Sequence, residues 1–334
     1  MSDDLQIWNE DCISGMAEHL EESSIDLIVS SIPFGALFMY SGKTEDIGNN
    51  PDVPNDSTDM RASQFGLHMR FCIAQLFRVL RPGCIAAIHV QQLLTTKVQH
   101  GYMGRRDFRG AVVDLFSAGG FQWTGEVGIP KNPQAMAQRQ KLHSLLFVTG
   151  MRDGRALAPA VNDYVLIFRK PGEGAPVPCL YDAQKNPDGW LTKEEWIRDA
   201  RGIWSDIQET DTLEGWRTAG DEDDEKHVCP LQLEVIRRLV RLYTNPGDTV
   251  LDPFSGIGSS GFVALEQGRR YRGFELKESY WRQSLKNCMK AVQKNQTKPA
   301  MPSLFDVLDE AQPACGMADT VRSDSPADSP LLAS

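Results

Sequence analysis

The chain has 334 residues, of which 41% are hydrophobic and 24% are charged, and its mean hydropathy is −0.35. These values are typical of a soluble globular protein with one large domain or two smaller ones. No apolar run reaches the roughly 18 residues that a membrane span requires, and the N-terminal residues lack the basic and apolar regions of a signal peptide. We therefore expect a cytoplasmic protein without a membrane partner.

Net charge and cysteine content limit the classes of partner and cofactor. The net charge of −10 disfavours nucleic acid, because proteins that bind phosphate normally carry a basic surface. The charge is uneven, however, since the stretch from Lys97 to Arg155 contains nine Lys and Arg against four Asp and Glu. The seven cysteines form no C-x-x-C pair and have no neighbouring histidines at ligand spacing. We expect reduced thiols and no metal site.

Apolar runs alternate with amphipathic stretches along the chain, which is the pattern of an α/β sheet. In chain order, the predicted strands are 5–9, 26–31, 84–90, 121–127, 163–170, 248–254 and 270–276. Apolar residues at helical spacing predict helices over 68–80, closed by Arg-Pro-Gly, and over 107–118, 230–243 and 258–267.

Two segments break this alternation. Residues 171–226 are rich in Pro, Gly, Trp and acidic residues, which predicts a small irregular insertion. Its tryptophans are interpreted as packing residues rather than as platforms for stacked bases. Residues 296–334 consist largely of Pro, Ser, Ala and Asp with little apolar surface to bury, which predicts a disordered tail.

The segment 247–276 combines a strand, a glycine-rich turn, an amphipathic helix and a second strand. Glycines let the backbone pass close to a ligand, and Glu275 at the end of the second strand can accept hydrogen bonds from ribose hydroxyls. The glycines match the G-x-G-x-x-G spacing of dinucleotide sites, but Asp252 before them would repel a pyrophosphate. An acid there suits a ligand with a cationic centre, such as S-adenosyl-L-methionine (AdoMet). The alternative is a plain strand–turn–helix connection.

Three stretches resemble the β group of amino-methylating (N4-cytosine/N6-adenine) DNA methyltransferases. "SIPFG" (31–35) resembles the family's catalytic strand end. Without the other two motifs, this stretch would indicate only a strand followed by a turn. "EKHVCPLQLEV" (225–235) is similar to the helix before the cofactor loop, and "DPFSGIGSSG" (252–261) resembles the AdoMet-binding motif D-P-F-x-G-x-G-T-T. The resemblance covers roughly residues 4–290. It implies a Rossmann-like AdoMet-dependent methyltransferase sheet, circularly permuted, and is greatest to the phage and prophage type.

The resemblance implies a division of the chain and a set of partners. Residues 4–170 would form the catalytic half and 227–295 the AdoMet-binding half of one methyltransferase domain. The insertion 171–226 would be the candidate target-recognition region, and 296–334 the disordered tail. Double-stranded DNA is the expected partner, and a homodimer is compatible with the sequence.

The resemblance also implies roles for individual residues. Ser31 and the backbone carbonyl of Ile32 would accept the hydrogens of the exocyclic amine of a flipped base, Pro33 would fix the strand end, and Phe34 would stack on the base. Asp11 matches the family's acid near the cofactor's adenine, with a helix N-cap as the alternative. The implied cofactor-binding residues are Asp11, Asp252, Pro253, Phe254, Ser255, Gly256, Gly258 and Glu275.

Two departures from the family pattern bear on the target base and on the cofactor pocket. Ile32 stands where the family usually has a proline, and Cys229 and Leu231 flank Pro230 where the family's helix usually carries a lysine. Serine at the first position of the strand end occurs mainly in N4-cytosine enzymes, whereas Asp or Asn usually marks N6-adenine enzymes. Cytosine N4 is therefore favoured slightly over adenine N6.

The loop after the strand 84–90 would lie at the edge of the sheet where this family places the flipped base. Its candidates for phosphate contact are His89, Lys97, His100, Arg105, Arg106 and Arg109, with a solvated surface as the alternative. Two other functions stay open at this point. One is methylation of RNA or of glutamine in a protein, and the other is an inactive AdoMet-fold protein that binds DNA.

Overall fold

A seven-stranded, mostly parallel β-sheet with helices packed on both faces forms the core of the protein. The computed structural model describes residues 3–34, 44–48, 59–95, 101–102, 104–139, 143–214 and 230–296. The strands are β1 (Leu5–Trp8), β2 (Ile25–Ser31), β3 (Leu80–Gln91), β4 (Leu93–Thr95), β5 (Gly104–Arg106), β6 (Gln122–Ile129), β7 (Asp163–Arg169), β8 (Thr249–Asp252) and β9 (Arg270–Phe274). β4 and β5 pair with each other in a separate antiparallel ribbon.

The described helices are α1 (Cys12–His19), α2 (Gln64–Val79), α3 (Phe108–Ala118), α4 (Pro133–Arg139), α5 (Phe147–Arg152), α6 (Lys193–Asp199), α7 (Leu233–Tyr243), α8 (Ser259–Glu266) and α9 (Glu278–Gln296). Several of them begin with a side-chain cap. Asp11, Ser63 and Asp107 accept backbone N–H groups in the first turns of α1, α2 and α3. In the described ranges no helix has the length and apolar character needed to cross a bilayer.

The strand order places several strand ends at one edge of the sheet. The order is β1-β9-β8-β2-β3-β7-β6. The first five of these strands are parallel to one another, and β7 runs antiparallel between β3 and β6. The carboxyl ends of β1, β9, β8, β2, β3 and β6 therefore meet the amino end of β7. Open α/β sheets bind their ligands at the edge formed by the carboxyl ends of the strands.

The central strand β2 shows why the sheet needs helices on both faces. Successive side chains of a strand point to opposite faces. Ile28 packs with residues of α1, α2 and α3, whereas Leu27 and Val29 pack with residues of α7, α8 and α9. All three side chains are fully buried. The continuous apolar run of β2 is thus the consequence of burial on both sides.

The described part of the insertion, 171–214, is anchored to α7. Asp199 forms ion pairs with Arg238 (3.3 Å) and Arg241 (3.0 Å) of that helix. The indole of Trp204 is buried and stacks under the Arg238 guanidinium at 5.2 Å. The interpretation of the insertion's tryptophans as packing residues is confirmed for Trp204.

The structure contains all seven predicted strands and differs from the predictions in several places, since the helices α4, α5 and α6 were not predicted. α2 ends at Val79, and the Arg-Pro-Gly sequence lies in an irregular part of β3, because the pairing with β2 shifts between Leu80 and Ile85. The ribbon of β4 and β5 escaped prediction because each strand has only three residues. The helix α9 was also not predicted. The predicted disordered tail lies outside the described residues after Gln296.

Candidate active site

A pocket opens at the carboxyl edge of the sheet, beside the ends of β1, β8 and β9. It is lined by Glu10, Asp11, Cys12, Pro33, Glu45, Asp46, Ile47, Pro253, Phe254, Gly256, Phe274, Glu275, Leu276 and Tyr280. The described part of the lining has five carboxylate side chains and no Lys or Arg. Such a wall favours a cationic ligand over one that carries phosphate.

Asp252, at the end of β8, is buried under the glycine-rich turn. Its Oδ1 accepts hydrogen bonds from Ser30 Oγ (2.6 Å) and from the Phe254 backbone N–H (3.0 Å), and its Oδ2 accepts one from Ser260 Oγ (2.7 Å). Burial raises the pKa of Asp252 to about 6, and these three donors only partly oppose that rise. The carboxyl group therefore ties β2, the turn and the first residues of α8 together.

Gly256 and Gly258 both have positive φ angles, +53° and +89°, which favour glycine. Their surroundings differ, however. A Cβ at Gly256 would have the Phe254 carbonyl oxygen, at 4.0 Å, as its nearest neighbour, whereas a Cβ at Gly258 would lie 3.0 Å from Ser284 of α9. Gly256 therefore leaves room for a ligand, and Gly258 allows two helices to pack closely.

Glu275 follows β9 and is held by two backbone amides. Its Oε2 accepts from the Gly256 N–H and its Oε1 from the Lys277 N–H, both at 2.8 Å. Burial raises the pKa of Glu275 to about 7, and the two amides only partly offset this effect. Both protonation states are thus populated near neutral pH, and a ligand that donates hydrogen bonds to Glu275 would favour the carboxylate.

Asp11 has a structural role and also borders the pocket. It is the N-cap of α1, because its Oδ2 accepts the backbone N–H groups of Ile13 (3.0 Å) and Ser14 (2.8 Å), and it also lines the pocket. Ser255 has another environment, since its Oγ lies 2.8 Å from the hydroxyl of the buried Tyr271. Of the predicted cofactor residues, the pocket wall contains Asp11, Pro253, Phe254, Gly256 and Glu275, and it does not contain Asp252, Ser255 and Gly258.

The predicted catalytic strand end borders the same pocket. The side chain of Ile32 is buried in the core, and Pro33 lines the pocket. Phe34 is half-buried, with edge contacts to the rings of His89 (6.2 Å) and Phe108 (6.3 Å). The glycine that follows lies outside the described residues. The strand end and the predicted cofactor residues are therefore neighbours.

Ser31 contacts a row of buried polar side chains. Its Oγ lies 2.9 Å from His89 Nδ1, and His89 Nε2 lies 3.2 Å from Asp163 Oδ2. The second contact is an ion-pair contact whose angle departs from that of a well-aligned hydrogen bond. Asp163 also accepts from Lys131 Nζ (2.6 Å) and Gln91 Nε2 (2.7 Å). Burial alone would raise the pKa of Asp163, but His89 and Lys131 outweigh burial and hold it below its usual value.

Comparison with known proteins identifies the family. The family model N6_N4_Mtase, described as DNA methylase, matches residues 25–286, which is more than three quarters of the chain. The chain belongs to this family. Membership confirms the prediction of an AdoMet-dependent DNA methyltransferase, with AdoMet as the methyl donor and DNA as the substrate.

Individual relatives agree with this assignment. Over 278 residues, the methyltransferase is 24% identical to the Type II methyltransferase M.MjaI of Methanocaldococcus jannaschii, covering 78% of this chain and 84% of that protein. Over 126 residues, it is 36% identical to the Type II methyltransferase M.BglI of Bacillus subtilis, covering 37% of this chain and 30% of that protein.

Solved structures confirm the predicted fold class. A proposed DNA modification methylase from Thermus thermophilus, in complex with S-adenosyl-L-methionine, superposes with a TM-score of 0.60 at 21% identity, over 86% of this chain and 94% of that one. The cytosine-N4-specific PvuII DNA methyltransferase superposes with a TM-score of 0.54 at 15% identity, over 86% and 91%. The α/β sheet of the methyltransferase is thus the one found in these structures.

The predicted phosphate contacts of the methyltransferase lie in different environments. Arg105 and Arg106 are in β5, and Arg105 is exposed and donates to the Pro159 carbonyl. Lys97 and His100 lie outside the described residues.

Arg109 and His89 are held inside the domain. The Arg109 Nε donates to Glu126 Oε2 (2.6 Å), and its guanidinium lies 5.5 Å from the Trp123 ring centre. His89 is 7% exposed and contacts Ser31, so the prediction of a phosphate contact is wrong for His89. A histidine in the middle of an apolar strand is buried with that strand.

Sequence reasoning missed the partners of the strand end. Asp163 and Lys131 are far from Ser31 in the chain. Each lies near the end of a strand, where charged residues are common. The antiparallel pairing of β7 with β3, which sets Asp163 opposite Gln91, brings these residues to the carboxyl edge. The only local signal was a charged residue at the first position of a predicted strand.

Proposed function

We propose that this methyltransferase transfers the methyl group of AdoMet to the exocyclic amino group of a base flipped out of DNA, with cytosine N4 as the target. The observation that carries the proposal is the position of Pro33. It belongs to the strand end Ser31–Phe34 and lines the same pocket as Gly256 and Glu275. A methyl donor in the pocket and an amine at the strand end would therefore be adjacent.

The pocket fits AdoMet in charge and in shape. When bound, AdoMet supplies an electrophilic methyl group on a sulfonium, and it also carries an α-amino group. Five carboxylates in the lining suit these positive charges, and the open space beside Gly256 admits a ligand against the backbone. We infer that Glu275 accepts the ribose hydroxyls and that Asp11 lies near the adenine. Asp252, Ser255 and Gly258, which are not in the pocket wall, would stabilise the conformation of the turn.

The strand end suits an amine. The exocyclic nitrogen of a base is a poor nucleophile because its lone pair is delocalised into the ring, so acceptors that bind its hydrogens favour the reactive, pyramidal form. Ser31 Oγ and the Ile32 carbonyl are such acceptors, and Phe34 offers a face for the base. Catalysis then comes mainly from alignment and electrostatics.

The cysteine in the pocket wall is unsuited to the alternative C5 methylation of cytosine, which needs a thiolate nucleophile. A hydrogen bond with Cys72 and burial hold the pKa of Cys12 well above its usual value, so this side chain stays a thiol. The serine at the strand end offers a neutral hydroxyl, whereas Asp or Asn usually marks N6-adenine enzymes. The serine therefore supports cytosine N4, and adenine N6 is the second candidate.

Analysis of the product base tests this proposal. DNA methylated by the purified protein is digested to nucleosides, which are identified by mass. We expect N4-methylcytosine. N6-methyladenine would correct the target base, and 5-methylcytosine alone would contradict the mechanism. Ser31→Ala should lower kcat with little change in AdoMet affinity, and Phe34→Ala should cost roughly 1–3 kcal/mol of base stacking.

A further inference from the structure

Three buried titratable side chains form a row that begins at Ser31, the proposed amine acceptor. The side chains of His89, Asp163 and Lys131 are 9%, 8% and 8% exposed. Burying such groups costs free energy unless each one is paired. They form a continuous row from Ser31, with successive separations of 2.9 Å, 3.2 Å and 2.6 Å. The sheet builds this row, because Ser31 of β2 is in register with His89 of β3.

The row determines which ring nitrogen of His89 carries the proton. The carboxylate of Asp163 faces Nε2 and therefore favours a hydrogen there. In the neutral ring, Nδ1 is then an acceptor. We assign this tautomer from the network of contacts. The Ser31 hydroxyl consequently donates to Nδ1, and its own lone pairs stay available for a donor such as an amine.

We propose that His89 orients the Ser31 hydroxyl as an acceptor and takes up the proton of the target amine through it, and that Asp163 is a positioning residue that holds His89. The inference rests on the proposed function, because it assigns partners to the amine acceptor named there. Among the described residues, the charged groups that face His89 are Asp163 and, through Asp163, Lys131.

The proton transfer balances as follows. The new N–C bond forms while the sulfonium S–C bond breaks, which leaves neutral S-adenosylhomocysteine and a methylated amine with one excess proton. That proton passes to Ser31 Oγ while the Ser31 hydroxyl proton passes to His89 Nδ1. The products are a neutral methylated base, an intact serine and an imidazolium paired with Asp163. Water removes the proton from His89 after the transfer.

Lys131 and Gln91 complete the row by keeping Asp163 in its anionic form. Both donate to this carboxylate, at 2.6 Å and 2.7 Å. An anionic Asp163 stabilises the imidazolium that forms during the transfer, as a buried carboxylate does beside a histidine in other proton-transfer sites. The buried lysine is therefore useful even though it is distant from Ser31.

A double-mutant cycle tests whether His89 acts through Ser31. Single-turnover methylation of DNA is measured at saturating AdoMet for the wild type, His89→Ala, Ser31→Ala and the double variant. We expect His89→Ala to lower the rate about 100-fold. In the Ser31→Ala background the same change should have almost no further effect. Additive losses would overturn the inference, because they would show that His89 acts independently of Ser31.

Two readouts separate proton transfer from a purely structural role. Added imidazole should restore part of the rate of His89→Ala and none of the rate of the double variant. The pH–rate profile of His89→Ala should be flatter than that of the wild type, because the variant lacks the proton-accepting nitrogen. Saturating AdoMet keeps the titration of Glu275 out of the profile. Identical pH profiles without rescue would overturn the inference.

Further variants and measurements keep the test decisive. AdoMet affinity reports whether each variant is folded. If His89→Ala does not fold, His89→Gln fills more of the same space without a proton-accepting nitrogen and should show the same loss and the same flatter profile. Absence of any methylated amine with the wild-type protein would refute the proposed function. Wild-type activity with an unaffected His89→Gln would refute only the relay.

Discussion

Adjacent residues of the turn after β8 have two different roles. Some border the pocket, and others hold the backbone in place. Gly256 borders the pocket, where a side chain would enter open space. Gly258, two positions on, is limited by Ser284, and Asp252 is bonded to Ser30 on another strand. The motif therefore combines one position for ligand approach with several that hold the backbone.

Substitution of the two glycines should separate these roles. Gly256→Val places a side chain in the pocket and strains a backbone with φ +53°, so we expect a less stable but folded protein with AdoMet affinity lowered more than about tenfold, a change of about 1.4 kcal/mol in binding free energy. Gly258→Ala, the matched control, should lower the free energy of unfolding by about 1–3 kcal/mol through backbone strain and contact with Ser284. Calorimetric titration and thermal denaturation measure the two effects. An unchanged AdoMet affinity in folded Gly256→Val would refute the assignment of the pocket.

The raised pKa of Glu275 predicts a pH dependence of AdoMet binding. In the free protein this carboxyl group has a pKa of about 7, and we propose that ribose hydroxyls donate to its ionised form. Below pH 7 binding must also remove a proton, so affinity should fall towards tenfold for each further pH unit. Glu275→Gln should bind weakly with a flatter profile. A wild-type affinity that stays constant from pH 8 to pH 5.5 would contradict this role.

At the scale of elements, two neighbouring segments carry arginines with different tasks. The ribbon of β4 and β5 presents Arg105 and Arg106, whereas the first turn of α3 contains Arg109, which forms an ion pair with Glu126. The ion pair connects α3 to β6, and the Arg109 guanidinium also lies 5.7 Å from the Tyr164 ring centre. The first two residues are thus candidates for DNA, and Arg109 stabilises the packing of its own helix.

Salt dependence should distinguish these arginines. Loss of a phosphate contact lowers the slope of log K against log salt by about one unit, for any DNA sequence. We expect Arg105→Ala with Arg106→Ala to lower the slope, and Arg109→Ala to leave it nearly unchanged while lowering the melting temperature. Filter binding at several salt concentrations provides the measurement. An unaltered slope in the double variant would show that the ribbon is not part of the DNA-binding surface.

At the scale of the whole molecule, the two halves that we propose for catalysis and AdoMet binding, residues 4–170 and 227–295, share one sheet. β1 of the first half pairs with β9 of the second, and β2 pairs with β8. All the described residues belong to one compact unit, which ends at Gln296. Without the other half, β1 therefore has no partner strand, and β2, β8 and β9 each lose one neighbour.

This shared sheet predicts a single unfolding transition. Circular dichroism and tryptophan fluorescence should give the same melting temperature, because separating the two halves would break two strand pairs and expose buried strands at the centre of the sheet. AdoMet at 100 times its Kd should stabilise the entire transition by about 2.7 kcal/mol. Two separate transitions, with AdoMet shifting only one, would show instead that the halves unfold independently.

The sequence alone was sufficient for features whose signal is local. The seven strands follow from apolar runs, and the cofactor pocket follows from the spacing between Asp252, the glycines and Glu275 within one strand–turn–helix–strand unit. The strand end at Ser31 was recognised from its resemblance to a family motif of consecutive residues, which alone would indicate only a strand followed by a turn. Local spacing did not distinguish Gly256, beside the pocket, from Gly258, against α9.

Only the tertiary structure determined what surrounds Ser31. His89, Asp163 and Lys131 come from different strands and loops, and they meet because β7 runs antiparallel between β3 and β6. Strand direction and register are set by the packing of the whole sheet, and no local pattern encodes them. Burial likewise decided that His89 contacts Ser31 and that Arg109 pairs with Glu126, since the free energy of a charged or polar side chain depends on the neighbours that the fold provides.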